Sequence, residues 1–263
     1  MKEFEKFLFI EKGLSNVTVK NHIDSIRRIG RLSKQEAEEF IFRLYQSDYS
    51  YSHKISQVIA LEYWFEHLGE NVRFARQQRP RPIIKPTLSE SEVTRMFLCC
   101  KNIREKTILA VLAYSGVRPK ELINIKVRDV DFGSNELRVI QGKGLKDNVI
   151  YISASCTKII LEYLESYKMD NYLFMTADGF RPYNQRALRK LVKIVSKRAK
   201  LNRRIYPYLF RHSLATNMIN RGADIITVKN QMRHCYAETT MLYIHSLGYS
   251  SRNSYEKIVP SYY

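Results

Sequence analysis

The chain has 263 residues, with 44 lysines and arginines against 26 aspartates and glutamates, and a formal net charge of +18. Positive charge of this strength favours a polyanionic partner. No apolar run approaches the roughly 20 residues needed to cross a bilayer, which excludes a membrane-spanning protein, and the amino terminus lacks a signal-peptide pattern. We therefore expect a soluble cytoplasmic protein with no membrane partner.

Three helices are predicted in the first 72 residues. Ser15 suits the cap of a first helix in which isoleucines recur at helical spacing. Ser33 and Glu36 have the spacing of a capping box for the second, and a third is predicted from about Tyr51 to Leu68. Residues 1–72 are therefore expected to form a small helical domain.

A basic, proline-rich segment follows this helical region. Residues 73–87 contain three prolines and no acidic residue, so they cannot form a continuous helix or neutralise their own charge. The segment is predicted to be an interdomain linker that lies along a phosphate backbone. A loop inside a single domain is the alternative.

The second part of the chain is predicted to be mainly α, with a small antiparallel β-sheet. Ser89 and Glu92 form another capping box, and Gly116 ends the next helix and leaves Arg118 at a turn. Three β-rich segments between Val127 and Ile152 are separated by turn residues. Four further helices are predicted at 159–167, 185–199, 209–220 and 225–232.

Residues 179–223 contain no aspartate or glutamate. A solvated helix normally mixes charge signs, so this segment favours contact with nucleic acid. The candidate DNA-binding residues from all regions are Arg27, Arg28, Arg76, Arg79, Arg81, Arg186 and Arg189. An RNA-binding protein would share this charge, but no RNA-recognition motif is present.

The sequence predicts no metal and no cofactor. The four cysteines have neither zinc-site nor disulfide-framework spacing. A phosphate-binding glycine loop and a tight acidic cluster are both missing from the sequence.

Five short motifs occur in an order that resembles the catalytic domain of tyrosine recombinases, the phage integrase family, and most of all those of Xer type. They are Ser-Gly-Val-Arg118-Pro-Lys-Glu121-Leu, Gly-Lys143-Gly, Phe-Arg211-His212, Arg-His234 and Thr-Thr-Met-Leu-Tyr243. The resemblance covers nearly the whole chain. It implies a SAM-like core-binding domain at 1–72, a catalytic domain at 88–247, and a tail at 248–263 that is either exchanged between protomers or frayed.

The resemblance also implies the main catalytic roles. Tyr243 would be the nucleophile that forms a 3′-phosphotyrosyl link, and Arg118 and Arg211 would bind the non-bridging oxygens of the scissile phosphate. Lys143, between two glycines, would protonate the departing 5′ oxygen, with Lys146 as the runner-up.

Four further residues complete the predicted site. Glu121 would hold the Arg118 guanidinium through an i,i+3 contact, although a surface pair with a neighbouring lysine is the alternative. His212 and His234 would bond phosphate or the nucleophile. Tyr208 stands where the family usually has histidine, and it keeps a hydrogen-bond donor without a readily ionised ring.

The predicted function is therefore site-specific recombination of double-stranded DNA, with four protomers acting on two specific sites. Chromosome dimer resolution is the preferred role. The alternatives are a mobile-element integrase, a type IB topoisomerase, and a DNA-binding architectural protein without catalysis.

Overall fold

The computed structural model describes residues 1–80, 86–139, 148–168, 171–176 and 181–233. The chain divides into two compact units, Met1–Ile83 and Ile84–Tyr263. The boundary between them falls within the segment 73–87 that the sequence predicts to be a linker.

The first unit is a four-helix arrangement. Its helices are α1 (Lys2–Ile10), α2 (Asn16–Ile29), α3 (Lys34–Gln46) and α4 (Tyr51–His67). The predicted caps are confirmed, since the Ser15 side chain accepts from Thr18 N and Ser33 forms a complete capping box with Glu36. Helix α1 was not predicted, because Met1 provides no side-chain cap.

A single core holds these four helices together. Phe4 is fully buried and meets Trp64 edge-on, with ring centroids 5.1 Å apart. Val58 and Leu61 are also fully buried. Apolar residues from all four helices join this core, so each helix is stabilised mainly by the face it buries.

The segment after α4 is bound to the first unit, although it contains no helix or strand over residues 70–80. The buried carboxylate of Glu62 accepts from Phe74 N at 3.0 Å and from Arg76 Nη2 at 2.6 Å. The Tyr45 hydroxyl donates to Ala75 O at 2.7 Å. The beginning of the predicted linker is therefore held by the helical bundle.

The second unit combines helices with a small sheet, which confirms the predicted fold class. Its helices are α5 (Glu90–Leu98), α6 (Ile103–Ser115), α7 (Pro119–Leu122), α8 (Ala154–Ser166), α9 (Gln185–Arg198), α10 (Pro207–Asn220) and α11 (Ile225–Met232). Residues 107–112 of helix α6 are buried on every side, because this helix packs against both α8 and α10.

Three short strands form an antiparallel sheet in the order of the sequence: β1 (Val130–Asp131), β2 (Glu136–Val139) and β3 (Asn148–Tyr151). Leu137 pairs with Val130 on one side and Ile150 on the other. The prediction of a strand from Val127 was wrong at its start, since Val127–Asp129 is a 3-10 turn closed by the Asp129 carboxylate on Lys126 N.

Candidate active site

Arg118 is placed by the end of α6. Gly116 adopts the left-handed conformation with φ of 69° and ends that helix, a conformation that favours glycine. The chain then turns so that Arg118 precedes the first residue of α7, Pro119, which suits a first helical position. The turn predicted at Arg118 is confirmed.

The Arg118 guanidinium is oriented by two elements. Its Nη1 donates to Glu121 Oε1 at 2.8 Å, and its backbone N–H donates to Glu121 Oε2 at 2.6 Å. Its Nη2 donates to the carbonyl of Arg233 at 3.3 Å. The Arg118 side chain remains 31% exposed, so the guanidinium is fixed and still reachable by a ligand.

Arg211 lies on α10 and is 5% exposed. Its Nη1 donates to the carbonyl of Gly116, and its Nη2 donates to the carbonyl of Met232. Charge-assisted bonds of this kind fix a guanidinium plane more firmly than neutral ones. Arg211 therefore joins the carboxyl ends of α6 and α11.

The carboxyl end of α11 brings the two arginines together. Met232 O accepts from Arg211 and the adjacent Arg233 O accepts from Arg118. Carbonyls at the end of a helix have no partner within the helix and carry partial negative charge. The carboxyl end of α11 therefore binds two guanidinium groups from residues that lie far apart in the sequence.

Glu121 is the anion at this centre, with its side chain 12% exposed. Burial raises its pKa, but the Arg118 backbone bond, the Arg233 charge and the side-chain bonds from both arginines outweigh burial and hold the pKa below its ordinary value. Glu121 therefore stays ionised at neutral pH. The alternative of a surface pair with a lysine is wrong, because both its partners are arginines.

Arg233 was missed as a site residue. It caps α11 with φ of 50°, and its side chain is 3% exposed, with Nη2 donating to Glu121 Oε2 at 2.6 Å. The sequence carried one signal, which is the position of Arg233 directly after the helix predicted at 225–232. A helix commonly ends in a left-handed residue, and that residue is usually glycine. The motif Arg-His234 was interpreted for its histidine alone.

Gln231 was also missed. Its Nε2 donates to Tyr151 O at 2.8 Å and to Ser115 O at 3.1 Å, and its Oε1 accepts from Tyr151 N at 3.2 Å. The amide thereby extends the hydrogen bonding of β3 and also contacts the end of α6. Gln231 connects α11 to the sheet whose strands flank Lys143 in the sequence.

Tyr208 and His212 lie on α10 close to Arg211. Tyr208 is 51% exposed, and His212 is half-buried. The two are four residues apart and therefore lie on the same side of the helix. Their predicted roles stay predictions.

Several predicted residues lie outside the described part of the chain. These are Arg81, Lys143, Lys146, His234, Tyr243 and the tail 248–263. Val139 pairs with Asn148, and Lys143 lies between these two residues in the sequence.

A basic helical face lies on the second unit. Helix α9 exposes Arg186, Arg189, Lys190, Lys193 and Lys197, positions that share one side of a helix. Within the described ranges none of the five forms an ion pair with a carboxylate. This face is available to phosphates.

Other basic residues of the acid-free segment 179–223 are paired with distant carboxylates. Arg198 binds Glu105 at 2.6 Å and Arg203 binds Glu92 at 2.6 Å, while Arg221 binds Glu90. The inference that this whole segment favours nucleic acid was therefore too broad, because the acidic partners come from α5 and α6.

In the first unit, Arg27 and Arg28 border a polar groove of about 770 Å³ between α2 and α4. Arg79 is exposed, whereas Arg76 is bound to Glu62. Contact of these residues with DNA stays a prediction.

Two negative observations apply only to the described residues. No helix there has the length and apolar character of a membrane span. Nor do three histidine, cysteine or acidic side chains come together there as metal ligands.

Comparison with known proteins gives a consistent result. The phage integrase family model matches residues 86–248. Tyrosine recombinase XerC of Staphylococcus aureus is 30% identical, and the match covers 96% of this chain and 93% of that protein. The structure of XerA recombinase is 25% identical with a TM-score of 0.60, covering 99% of this chain and 98% of that chain. XerH recombinase, solved bound to its difH substrate, shares the fold at 20% identity and a TM-score of 0.69, covering 87% of this chain and 71% of that chain.

Proposed function

This chain belongs to the phage integrase family of tyrosine recombinases, and from that premise we propose that it resolves chromosome dimers by strand exchange at a specific DNA site. It is a DNA-binding enzyme that cleaves and rejoins strands. The role in dimer resolution is supported by the match to XerC along nearly the whole of both chains.

The observation that carries the mechanism is the convergence of Arg118 and Arg211 on the carboxyl end of α11. Attack on a phosphodiester builds negative charge on the non-bridging oxygens, and fixed cations stabilise that charge without reorganising during the reaction. Both guanidiniums are fixed, by Glu121 and by backbone carbonyls. We assign to them the binding of the scissile phosphate.

Tyr243 supplies the nucleophile in this proposal. Its phenol passes its proton to His212 and forms a bond to phosphorus, while the bond from phosphorus to the 5′ oxygen breaks and Lys143 delivers a proton to that oxygen. The phosphotyrosyl ester conserves the bond energy, so the 5′ hydroxyl of a second strand reverses the step. His212 and His234 bond the phosphate or the phenol, and Tyr208 donates to the same phosphate.

The DNA duplex is proposed to contact both units. The exposed basic face of α9 and the groove beside Arg27 and Arg28 supply cations for backbone phosphates. Strand exchange between two duplexes requires a nucleophile for each of four strands. We therefore propose a homotetramer acting in the cytoplasm on two copies of the site.

The arginine assignment is tested by Arg118→Lys and Arg211→Lys, with Arg203→Lys as the matched control. Arg203 matches Arg118, because both are half-buried and bound to a carboxylate, but Arg203 pairs with Glu92 and not with Glu121. Lysine keeps the charge but loses the planar fork. The assay is single-turnover formation of the covalent protein–DNA adduct on a nicked duplex. The duplex carries the captured site, which is the recurrent sequence recovered from genomic DNA covalently attached to the wild-type protein.

We expect each of the two site variants to lose about 100-fold or more in cleavage rate, the scale for a lost transition-state donor, while still binding DNA. The control should cleave like the wild type. Cleavage at the wild-type rate by either site variant would remove that arginine from the mechanism.

The role in dimer resolution is tested separately. Deletion of the captured chromosomal site should leave chromosomes joined as dimers, whereas a site confined to the end of a mobile element would identify an integrase.

A further inference from the structure

Arg233 occupies an unfavourable backbone conformation with a buried charge. Its φ of 50° is one that residues with a Cβ rarely adopt. Its side chain is 3% exposed, and in the described part of the chain its Nε and Nη1 have no hydrogen-bond partner. Each of these features is unfavourable by itself, so the residue must be held by what it contacts.

The contact that holds the Arg233 side chain is Glu121. Arg233 Nη2 donates to Glu121 Oε2 at 2.6 Å, and the same oxygen accepts the backbone N–H of Arg118 at 2.6 Å. The other oxygen, Oε1, accepts Arg118 Nη1 at 2.8 Å. One carboxylate is therefore shared between a reachable arginine and a buried one.

The backbone of Arg233 contacts the same guanidinium from a second direction. Its carbonyl accepts from Arg118 Nη2 at 3.3 Å. Arg118 is thus bounded on one side by the Glu121 carboxylate and on another by the carbonyl of the residue that binds Glu121. The left-handed conformation of Arg233 lets its side chain and its carbonyl both reach this centre.

The charges of the cluster explain why a second arginine is useful. Glu121 orients Arg118, but a carboxylate at hydrogen-bond distance also cancels its positive field at a nearby phosphate. The pair of Arg118 and Glu121 alone would be neutral. With Arg233 the cluster has a net charge of +1, so Arg118 is both oriented and able to attract an anion.

We propose that Arg233 is a positioning residue of the recombination site, which offsets the charge of Glu121 and fixes it against Arg118. The inference rests on the proposed function, since its consequence for the reaction is exerted through Arg118. It assigns no contact between Arg233 and DNA.

The variant that tests this is Arg233→Gly, because glycine adopts the left-handed conformation freely and only the side chain is lost. The matched control is Lys200→Gly, which removes a cation from an exposed residue with φ of 54° at the end of α9. Both variants are made in the full chain. Urea unfolding confirms that each is folded under the assay conditions.

Cleavage is measured in single turnover on the nicked duplex carrying the captured site. We expect Arg233→Gly to cleave about 10 to 100 times more slowly, by analogy with the loss found for groups that orient metal-ligating residues, with unchanged affinity for DNA. Lys200→Gly should match the wild type. Adding Glu121→Gln to Arg233→Gly should partly restore the rate, because the uncompensated carboxylate is then removed.

A purely structural role would not give that restoration. If Arg233→Gly cleaves like the wild type, or if Glu121→Gln deepens its defect, the proposal is overturned.

A second readout does not depend on cleavage. It is the solvent exchange of the Arg118 guanidinium protons, measured by nitrogen-15 NMR and assigned with Arg118→Lys. Exchange should be faster in Arg233→Gly, and unchanged exchange would contradict the inference. Absence of cleavage by the wild type would instead reject the proposed function.

Discussion

Gly116, at the end of α6, leaves little room for a side chain, and Gly116→Ala tests how much stability depends on this glycine. A Cβ added at Gly116 would lie 2.8 Å from Met232 Cε, 3.1 Å from its Sδ and 3.3 Å from Leu214 Cδ2. Met232 is fully buried, so its side chain has little free space in which to move. The backbone at Gly116 is also left-handed, with φ of 69°.

The close contacts of the added Cβ and the left-handed backbone together set the expected loss of stability. A Cβ in the left-handed conformation costs about 1 kcal/mol, and overpacking a buried contact costs about 1–3 kcal/mol more. Gly116→Ala should therefore destabilise the second unit by about 2–4 kcal/mol. The range reflects how far Met232 can shift.

Gly222→Ala is the matched control. Gly222 is also left-handed, with φ of 88°, but a Cβ there meets nothing within 4 Å. It should cost only the backbone contribution of about 1 kcal/mol. The difference between the two variants isolates the contact with Met232.

The assay is urea unfolding followed by two signals. The only tryptophan, Trp64, is buried in the first unit, so its fluorescence follows that unit, while far-ultraviolet circular dichroism follows both. Gly116→Ala should shift only the transition of the second unit, by roughly 1 M for a slope on the order of 3 kcal/mol/M. A loss no larger than that of Gly222→Ala would refute the packing argument. Because Gly116 O binds Arg211, cleavage should fall as well.

Three further outcomes follow from the structure. The pKa of Glu121 is lowered on folding, so its stabilisation is present above its unfolded pKa of about 4.3 and is lost as the pH falls through the folded value; Glu121→Gln should flatten that acid limb in urea unfolding against pH. Burial raises the pKa of Cys156 to about 12, and burial with the nearby Glu105 charge raises that of Cys100 to about 11, so iodoacetamide at about pH 8 should label both only after unfolding, as read by mass spectrometry. Replacing Lys193 on α9 by Gln should weaken DNA binding equally for all sequences and reduce the salt slope by about 0.9; a sequence-dependent loss would contradict backbone contact.

The sequence was most informative where a local rule determines the structure. Capping boxes at Ser33 and Ser89 predicted helix starts that the structure has, and Gly116 correctly predicted a helix end. Helix α1 was missed for want of a capping side chain, although Phe4, Phe7 and Leu8 had helical spacing. The helical spacing of these three apolar residues alone would have predicted α1.

The site was less predictable because its contacts join distant segments. The motif order identified Arg118 and Arg211 as candidates, but the role of Arg233 depends on Glu121, which is 112 residues away in the sequence. In the same way, no local pattern could show that Arg203 is bound to Glu92. Charge along the sequence cannot separate cations that face DNA from cations that hold the fold together.

In the proposed mechanism, Tyr243 forms a covalent bond to DNA at a specific site. The most direct measurement incubates nicked genomic DNA in EDTA with the wild-type protein or with Tyr243→Phe, denatures the mixture, and sequences the DNA that remains attached to protein. We expect attachment at one recurrent sequence with the wild type and none with Tyr243→Phe. Attachment that persists in Tyr243→Phe, or none with the wild type, would contradict it.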